Sequence, residues 1–301
     1  MSTEHPGKRV EFFSEGVLVV GTLRLPSRLG ASGKLPVVVC CQGFSLTKEV
    51  WLGQHAAALN QAGYATLNID YRYFGESGGE PRCRLVPSAQ VQDVRNALTF
   101  LESVPEVDSQ RIGVFGISLG ASVVTAVAGL DHRVGALVAV AGPGDLERVW
   151  SNFPDFERFR AKVHAAKREF VANGSVTYVS VPRILSSDPE TCALLLQEQP
   201  KHPRWRLEIT FESLEDLFAF KPEDHASTSA ASLFIFPADD ALISKAEVTS
   251  LYAKAREPKR LVPLPGLKHH EVYAQGAAFE PVMKHTLDFF KVHLGSPNLP
   301  S

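Results

Sequence analysis

The stretch Arg111-Ile112-Gly113-Val114-Phe115-Gly116-Ile117-Ser118-Leu119-Gly120-Ala121-Ser122 constrains the fold more than any other part of the chain. Ile112 to Phe115 is a short apolar run of the kind that fills a buried parallel strand. Leu119 to Ala128 is rich in Ala, Val and Leu and long enough for a helix. Between them stand Gly116, Ser118 and Gly120, a Gly-x-Ser-x-Gly pattern. A strand that passes straight into a helix through one serine forces that serine into a tight, strained turn. A Cβ at position 116 or 120 would meet neighbouring backbone, hence the glycines. Such a turn lifts the Ser118 hydroxyl clear of the sheet, at the positive end of the following helix, where a nucleophile is well placed. The same pattern also makes a plain turn whose serine caps a helix. A base and an acid farther along the chain decide between the two readings.

The rest of the chain alternates strands and helices around this turn. Val10 to Phe13 and Val17 to Leu25 are β-rich runs joined by Ser14-Glu15-Gly16, a hairpin signal. Leu35 to Cys41, Tyr64 to Ile69, Val134 to Val140, Leu233 to Phe236 and Leu261 to Leu264 are further strands. Helical stretches run from Trp51 to Ala62, Val86 to Ser103, Lys245 to Arg256 and Glu280 to Leu294. Together with Ile112 to Phe115 this predicts an α/β fold, a doubly wound, mostly parallel eight-stranded sheet. In such sheets ligands bind beyond the carboxyl ends of the strands. Gln42-Gly43-Phe44, Asp70 and Ser118 all follow strand ends.

From Gly142 to about His225 the alternation stops. This stretch is helical in flavour and aromatic, with Trp150, Phe153, Phe156, Phe159, Phe170, Trp205, Phe211, Phe218 and Phe220. It reads as an inserted helical cap over residues 143–225, with the core formed by 1–142 and 226–301. Helical spacing of Phe153, Phe156 and Phe159 suits packing of the cap onto the body. Because the chain has to climb over Ser118 at this point, Trp150 and Phe153 are also candidates to line a substrate pocket.

A serine hydroxyl is a poor nucleophile until a base takes its proton, and that base needs an acid to orient it. After Leu233–Phe236 comes Pro237-Ala238-Asp239-Asp240, and after Leu261–Leu264 comes Pro265-Gly266-Leu267-Lys268-His269-His270-Glu271-Val272-Tyr273. Ser, then Asp, then His, each on a loop after a strand, is the order of a hydrolase triad.

With these residues the chain resembles a capped α/β-hydrolase, and is most similar to the dienelactone-hydrolase-like and polyketide-transferase-like branches. Pro36 to Phe44 followed by Thr47-Lys48-Glu49 resembles the family's strand and oxyanion loop, and Asp70 to Gly79 its Asp-x-Arg-Gly-x-Gly-x-Ser loop. Asp108-Ser109-Gln110-Arg111-Ile112-Gly113 leads into the elbow in the family's manner. The family's Gly-x-x-Asp pattern lands on Asp240, with Pro237 in place of the glycine and Asp239 as the alternative. Its Gly-x-x-His-x-x-x-Tyr pattern lands on Gly266, His269 and Tyr273, which favours His269 over His270. Gln42 stands where many relatives carry His. The resemblance implies a catalytic set of Ser118, Asp240 and His269, and an oxyanion hole from the backbone N–H groups of Phe44 and Leu119. It implies ester hydrolysis through an acyl-enzyme with no cofactor and no metal. Amide hydrolysis, acyl transfer and carbon–carbon cleavage use the same residues and stay open, as does a fold of this kind kept only for binding. Asp70, Arg72, Glu76, Lys48 and Glu49 read as residues that order their loops.

Composition narrows the partners. A formal charge of −2 with both signs mixed gives no nucleic-acid footprint, and no apolar run approaches a membrane span. Cys40, Cys41, Cys83 and Cys192 have no zinc-like spacing, and the first residues lack the apolar segment of a secretory signal. The expected setting is therefore cytoplasmic and the expected partner a hydrophobic acyl compound of small size. Oligomeric state stays open, with a homodimer among the options.

Overall fold

The computed structural model describes residues 7–26, 34–152, 154–273 and 276–295. Its organising layer is one eight-stranded sheet. In chain order the elements of its first half are β1 (Lys8–Ser14), β2 (Val17–Arg24), β3 (Leu35–Cys41), α1 (Leu52–Gln61), β4 (Ala65–Ile69), α2 (Pro87–Leu101), β5 (Val107–Ile117), α3 (Leu119–Leu130) and β6 (Val134–Val140). The strands lie in the order β1-β2-β4-β3-β5-β6, continued by β9 (Ala231–Pro237) and β10 (Lys259–Leu264). β1 and β2 pair antiparallel and β2 runs antiparallel to β4, whereas every other pairing is parallel.

The sequence explains this order. β3, β4 and β9 are buried at every position, which is why they read as continuous apolar runs instead of alternating ones. β1 alternates exposed and buried from Arg9 to Ser14, as a strand at the sheet edge with one face in water does. Its hairpin turn is made by Glu15 and Gly16, both at positive φ. β5 sits centrally, between β3 and β6, so Ser118 emerges near the middle of the sheet's carboxyl edge. α3 is buried at every position from Leu119 to Ala128, which accounts for a helix apolar on all sides. α9 (Lys245–Lys254) and α10 (Phe279–His293) complete the layers, α10 burying Val282, Met283, Thr286, Phe289 and Phe290.

Between β6 and β9 the chain leaves the sheet. It forms α4 (Leu146–Ser151), α5 (Phe156–Asn173), β7 (Tyr178–Ser180), α6 (Val181–Ile184), α7 (Pro189–Glu198), β8 (Glu208–Thr210) and α8 (Leu214–Phe218). β7 and β8 pair with each other in a small antiparallel ribbon apart from the main sheet. Two aspartates start cap helices: Asp145 accepts the N–H of Arg148 at 3.1 Å, and Asp188 that of Thr191 at 3.0 Å. The aromatic residues make the cap's own core. Trp150, Phe156 and Phe159 all pack on Phe218 with centroids 5.3–6.2 Å apart. No helix among the described residues is long and apolar enough to cross a membrane.

Candidate active site

The elbow between β5 and α3 behaves as its glycines require. Ser118 has φ 56° and ψ −124°, outside the regions that a serine ordinarily adopts, and its N–H is held by the Val140 carbonyl at 2.8 Å. A Cβ on Gly116 would strike the backbone of Gly120, and one on Gly120 would strike the backbone of Cys41. The turn is therefore locked from both sides, and the strained residue is the one whose side chain faces the cavity.

Three side chains from three loops meet there. His269, in a short 3-10 turn after β10, brings Nε2 to 3.2 Å from Ser118 Oγ and Nδ1 to 2.7 Å from an Asp240 carboxylate oxygen. Asp240 follows β9, and its other oxygen accepts the N–H groups of Leu242 and Ile243 at 2.9 and 2.8 Å. The side chains of His269 and Asp240 are each only 2% exposed. Burial alone pulls the His269 imidazole toward the neutral form. The Asp240 carboxylate, and at longer range Asp188, outweigh it and hold the pKa above the ordinary histidine value. With Asp240 ionised, the network gives Nδ1 the proton and leaves Nε2 free to accept the Ser118 hydroxyl. Such a hydroxyl–imidazole–carboxylate chain can raise a serine to a nucleophile. The neighbours that compete in the sequence sit elsewhere: Asp239 is exposed, and the ring nitrogen Nδ1 of His270 is buried without a partner.

The loop after β3 forms the opposite wall. Phe44 and Leu119 both line the Ser118 cavity, and Leu119, as the first residue of α3, has no carbonyl one turn earlier in the helix to take its N–H. Gln42 donates to the Ile69 carbonyl at 2.6 Å and ties the end of β3 to the end of β4. Lys48 anchors the far side. Its Nζ meets Asp70 at 2.8 Å, Glu49 at 2.8 Å and Glu76 at 2.6 Å, and Asp70 also accepts the Lys48 and Glu76 N–H groups. Burial pushes the Asp70 carboxyl up and Lys48 offsets part of that rise. Glu49, Asp70 and Glu76 are the carboxylates close enough to share a cation among the described residues, and the Lys48 ammonium already sits between them. Arg72 belongs to a separate buried pair with Asp93 at 2.6 Å.

The cap closes the cavity from above. Trp150, Leu146, Val149, Leu185, Leu195 and Leu217 come from it, so an apolar roof lies over Ser118. Of the two lining candidates, Trp150 is among the residues around this cavity and Phe153 lies outside the described residues. Phe156 and Phe159 do not reach this cavity. They lie on α5, behind Trp150, and line a neighbouring groove in the cap.

Two residues of the site make contacts that the sequence does not announce. Tyr273 lines the cavity, with its ring 5.1 Å from Trp51 and 5.9 Å from His269. Its hydroxyl lies within hydrogen-bonding reach of Ser118, and it occupies the space that a Cβ on Gly43 would need. Burial pushes its phenol well above the ordinary value and Ser118 offsets part of that, so it stays a donor. The signal in the sequence was the tyrosine four residues after His269, which carries no role by itself. Trp205, buried in the cap, donates its indole N–H to the Ser45 carbonyl at 3.0 Å and packs edge-on against Trp51. Nothing in the local sequence marks that contact.

A family model described as serine aminopeptidase, S33, matches residues 35–273. The chain is 32% identical to an uncharacterized 31.7 kDa protein in the traX-finO intergenic region of Escherichia coli, covering 93% of this chain and 97% of that one. It is 28% identical to polyketide transferase claH of Penicillium crustosum, covering 96% and 98% respectively. Among solved structures, the α/β hydrolase GrgF from Penicillium sp. sh18 superimposes with a TM-score of 0.82 at 22% identity, covering 96% of this chain and 99% of that one.

Proposed function

The chain belongs to the serine aminopeptidase S33 family of α/β hydrolases, and on that premise we propose that it is a serine hydrolase cleaving a carboxylic ester or a related acyl bond. The observation that carries the reading is the buried chain from Ser118 Oγ through His269 to Asp240, with separations of 3.2 and 2.7 Å. In this mechanism His269 takes the Ser118 proton as Oγ attacks the acyl carbon. Asp240 keeps the imidazole in the tautomer that can accept and stabilises its charged form. The oxyanion is received by the N–H groups of Phe44 and Leu119. Tyr273 donates to Oγ, which steadies the oxygen as it loses its proton and again when it leaves the acyl-enzyme. The protonated His269 passes its proton to the departing alcohol, and a water then attacks the acyl carbon with the same base.

Acyl transfer to an acceptor other than water is the second reading. It is favoured by the name of the relative from Penicillium crustosum and by the apolar lining of the cavity, which limits water around an acyl-enzyme.

Turnover of a panel of aliphatic and aromatic para-nitrophenyl esters and the matching anilides tests the proposal. Esters should be cleaved, Ser118→Ala and His269→Ala should each remove most activity, and the double variant should be little worse than either. Ester cleavage that survives Ser118→Ala would refute it. Adding alcohols or amines as competing acceptors, and measuring ester formed against acid released, separates transfer from hydrolysis.

A further inference from the structure

The cavity that holds Ser118 has a volume of about 50 Å³, room for the reacting end of a substrate and little more. Its polar lining is Ser118, Thr191, His269 and Tyr273, with no lysine or arginine. Beside it in the cap lies a groove of about 550 Å³. Trp150 belongs to both linings, so it is the wall they share. From Trp150 an aromatic surface runs into the groove through Phe159, stacked at 6.3 Å, to Phe211 at 5.7 Å.

The groove differs from the cavity in charge. Arg158 and Lys162, one helical turn apart on α5, and Arg183 on α6 all line it, with Asp155 as its one acid. Several other cations of the cap are paired. Arg160 meets Glu147 and Glu157, Lys167 meets Asp216, and Lys201 meets Glu198. Among the described residues Arg158, Lys162 and Arg183 make no ion pair with a carboxylate, so three cations converge on one groove with their charge unspent.

We propose that this groove receives the far end of an acyl substrate that terminates in a carboxylate. The proposal rests on the serine-hydrolase reading and names its substrate class. The apolar acyl chain passes Trp150 and lies along Phe159 and Phe211, where each buried methylene adds to binding. The guanidinium forks of Arg158 and Arg183 suit a planar carboxylate. Asp155 offsets one of the three positive charges and leaves the groove net positive toward a carboxylate.

The test uses para-nitrophenyl half-esters of linear dicarboxylic acids, against the same chains capped as methyl esters. Both series are run on the full chain and on an Arg158→Gln/Lys162→Gln/Arg183→Gln variant. The free acids should be preferred about tenfold in kcat/KM once the chain is long enough to span the groove. That ratio should shrink with added salt and fall to about one in the triple variant. Equal kcat/KM for acid and methyl ester in the unaltered protein, or a preference that survives the triple substitution, overturns the proposal. Calorimetric binding of a dicarboxylic acid half-methyl ester to Ser118→Ala protein needs no reaction. Binding that the three substitutions abolish upholds the groove even if no ester is turned over. No binding, with ester turnover intact, overturns the groove and leaves the hydrolase reading standing.

Discussion

Trp205 of the cap donates its indole N–H to the backbone carbonyl of Ser45, at 3.0 Å, in the loop that carries Phe44. Ser45 itself has a positive φ, so this loop is held in a conformation that a serine does not adopt unaided. The cap is therefore a roof over the site and also a clamp on the loop proposed to bind the oxyanion. Trp205→Phe keeps the ring packing against Trp51 and leaves the Ser45 carbonyl without its donor. It should cost about 1–3 kcal/mol of stability and lower kcat more than it raises KM. Thermal unfolding and steady-state kinetics on one preparation check both; unchanged kcat would free the loop from the cap.

Tyr273→Phe isolates a single hydroxyl. The ring contacts with Trp51 and His269 remain, so Tm should move little. Loss of a hydrogen bond to a developing charge is worth about 1.5–3 kcal/mol, which predicts a fall of about ten- to a hundredfold in kcat with KM nearly constant. If deacylation is the slower step, the variant should show a burst of nitrophenol. A loss of Tm without loss of kcat would make Tyr273 a packing residue.

Gly43 and Tyr273 should behave as a pair. A Cβ at position 43 falls on the Tyr273 hydroxyl, while the next atom of that ring lies 3.3 Å away, a tight but tolerable contact. Gly43→Ala alone should therefore displace the tyrosine or the loop and remove most activity. Adding Tyr273→Phe clears the space, so the double variant should be more active than Gly43→Ala. Additive losses would contradict the geometry.

The pH dependence follows from His269. Only its neutral form accepts the Ser118 proton, and its pKa is held above the ordinary value of about 6.5. Activity should thus decline as pH drops through a midpoint above that value. Asp240→Asn removes the main raising influence, so the midpoint should shift down while kcat/KM falls by about three to four orders of magnitude. Asp239→Asn, at an exposed position, should leave both nearly unchanged. Stability has the opposite sign. A folded pKa above the unfolded one stabilises fully below the unfolded pKa, and that contribution disappears as pH rises through the folded pKa. His269→Ala should accordingly lower Tm more in acid than in alkali.

The sheet was legible in the sequence because β3, β4 and β9 are fully buried runs and β1 alternates from Arg9 to Ser14, and both leave a pattern. The elbow was legible because two glycines are sterically compelled by backbone at Gly120 and Cys41. His269 and Asp240 could be picked out as candidates because each follows a strand, although only the fold brings them to 2.7 Å. The cap was harder. Helical spacing of Phe156 and Phe159 is the same for a pocket wall and a packed core, and the structure puts them on the groove behind Trp150 instead of above Ser118. The Trp205–Ser45 bond joins distant segments through a backbone acceptor, which no residue type announces. The small β7–β8 ribbon is only three residues a side, too short for a periodic signal.

The proposed function requires Ser118 to be a nucleophile activated by His269. Intact-mass and peptide mapping after treatment with a fluorophosphonate test it most directly. One adduct per chain is expected, on the peptide carrying Ser118, that fails to form with Ser118→Ala and forms far more slowly with His269→Ala. A properly folded protein that takes up no label at Ser118, or one that labels equally well without His269, would contradict it.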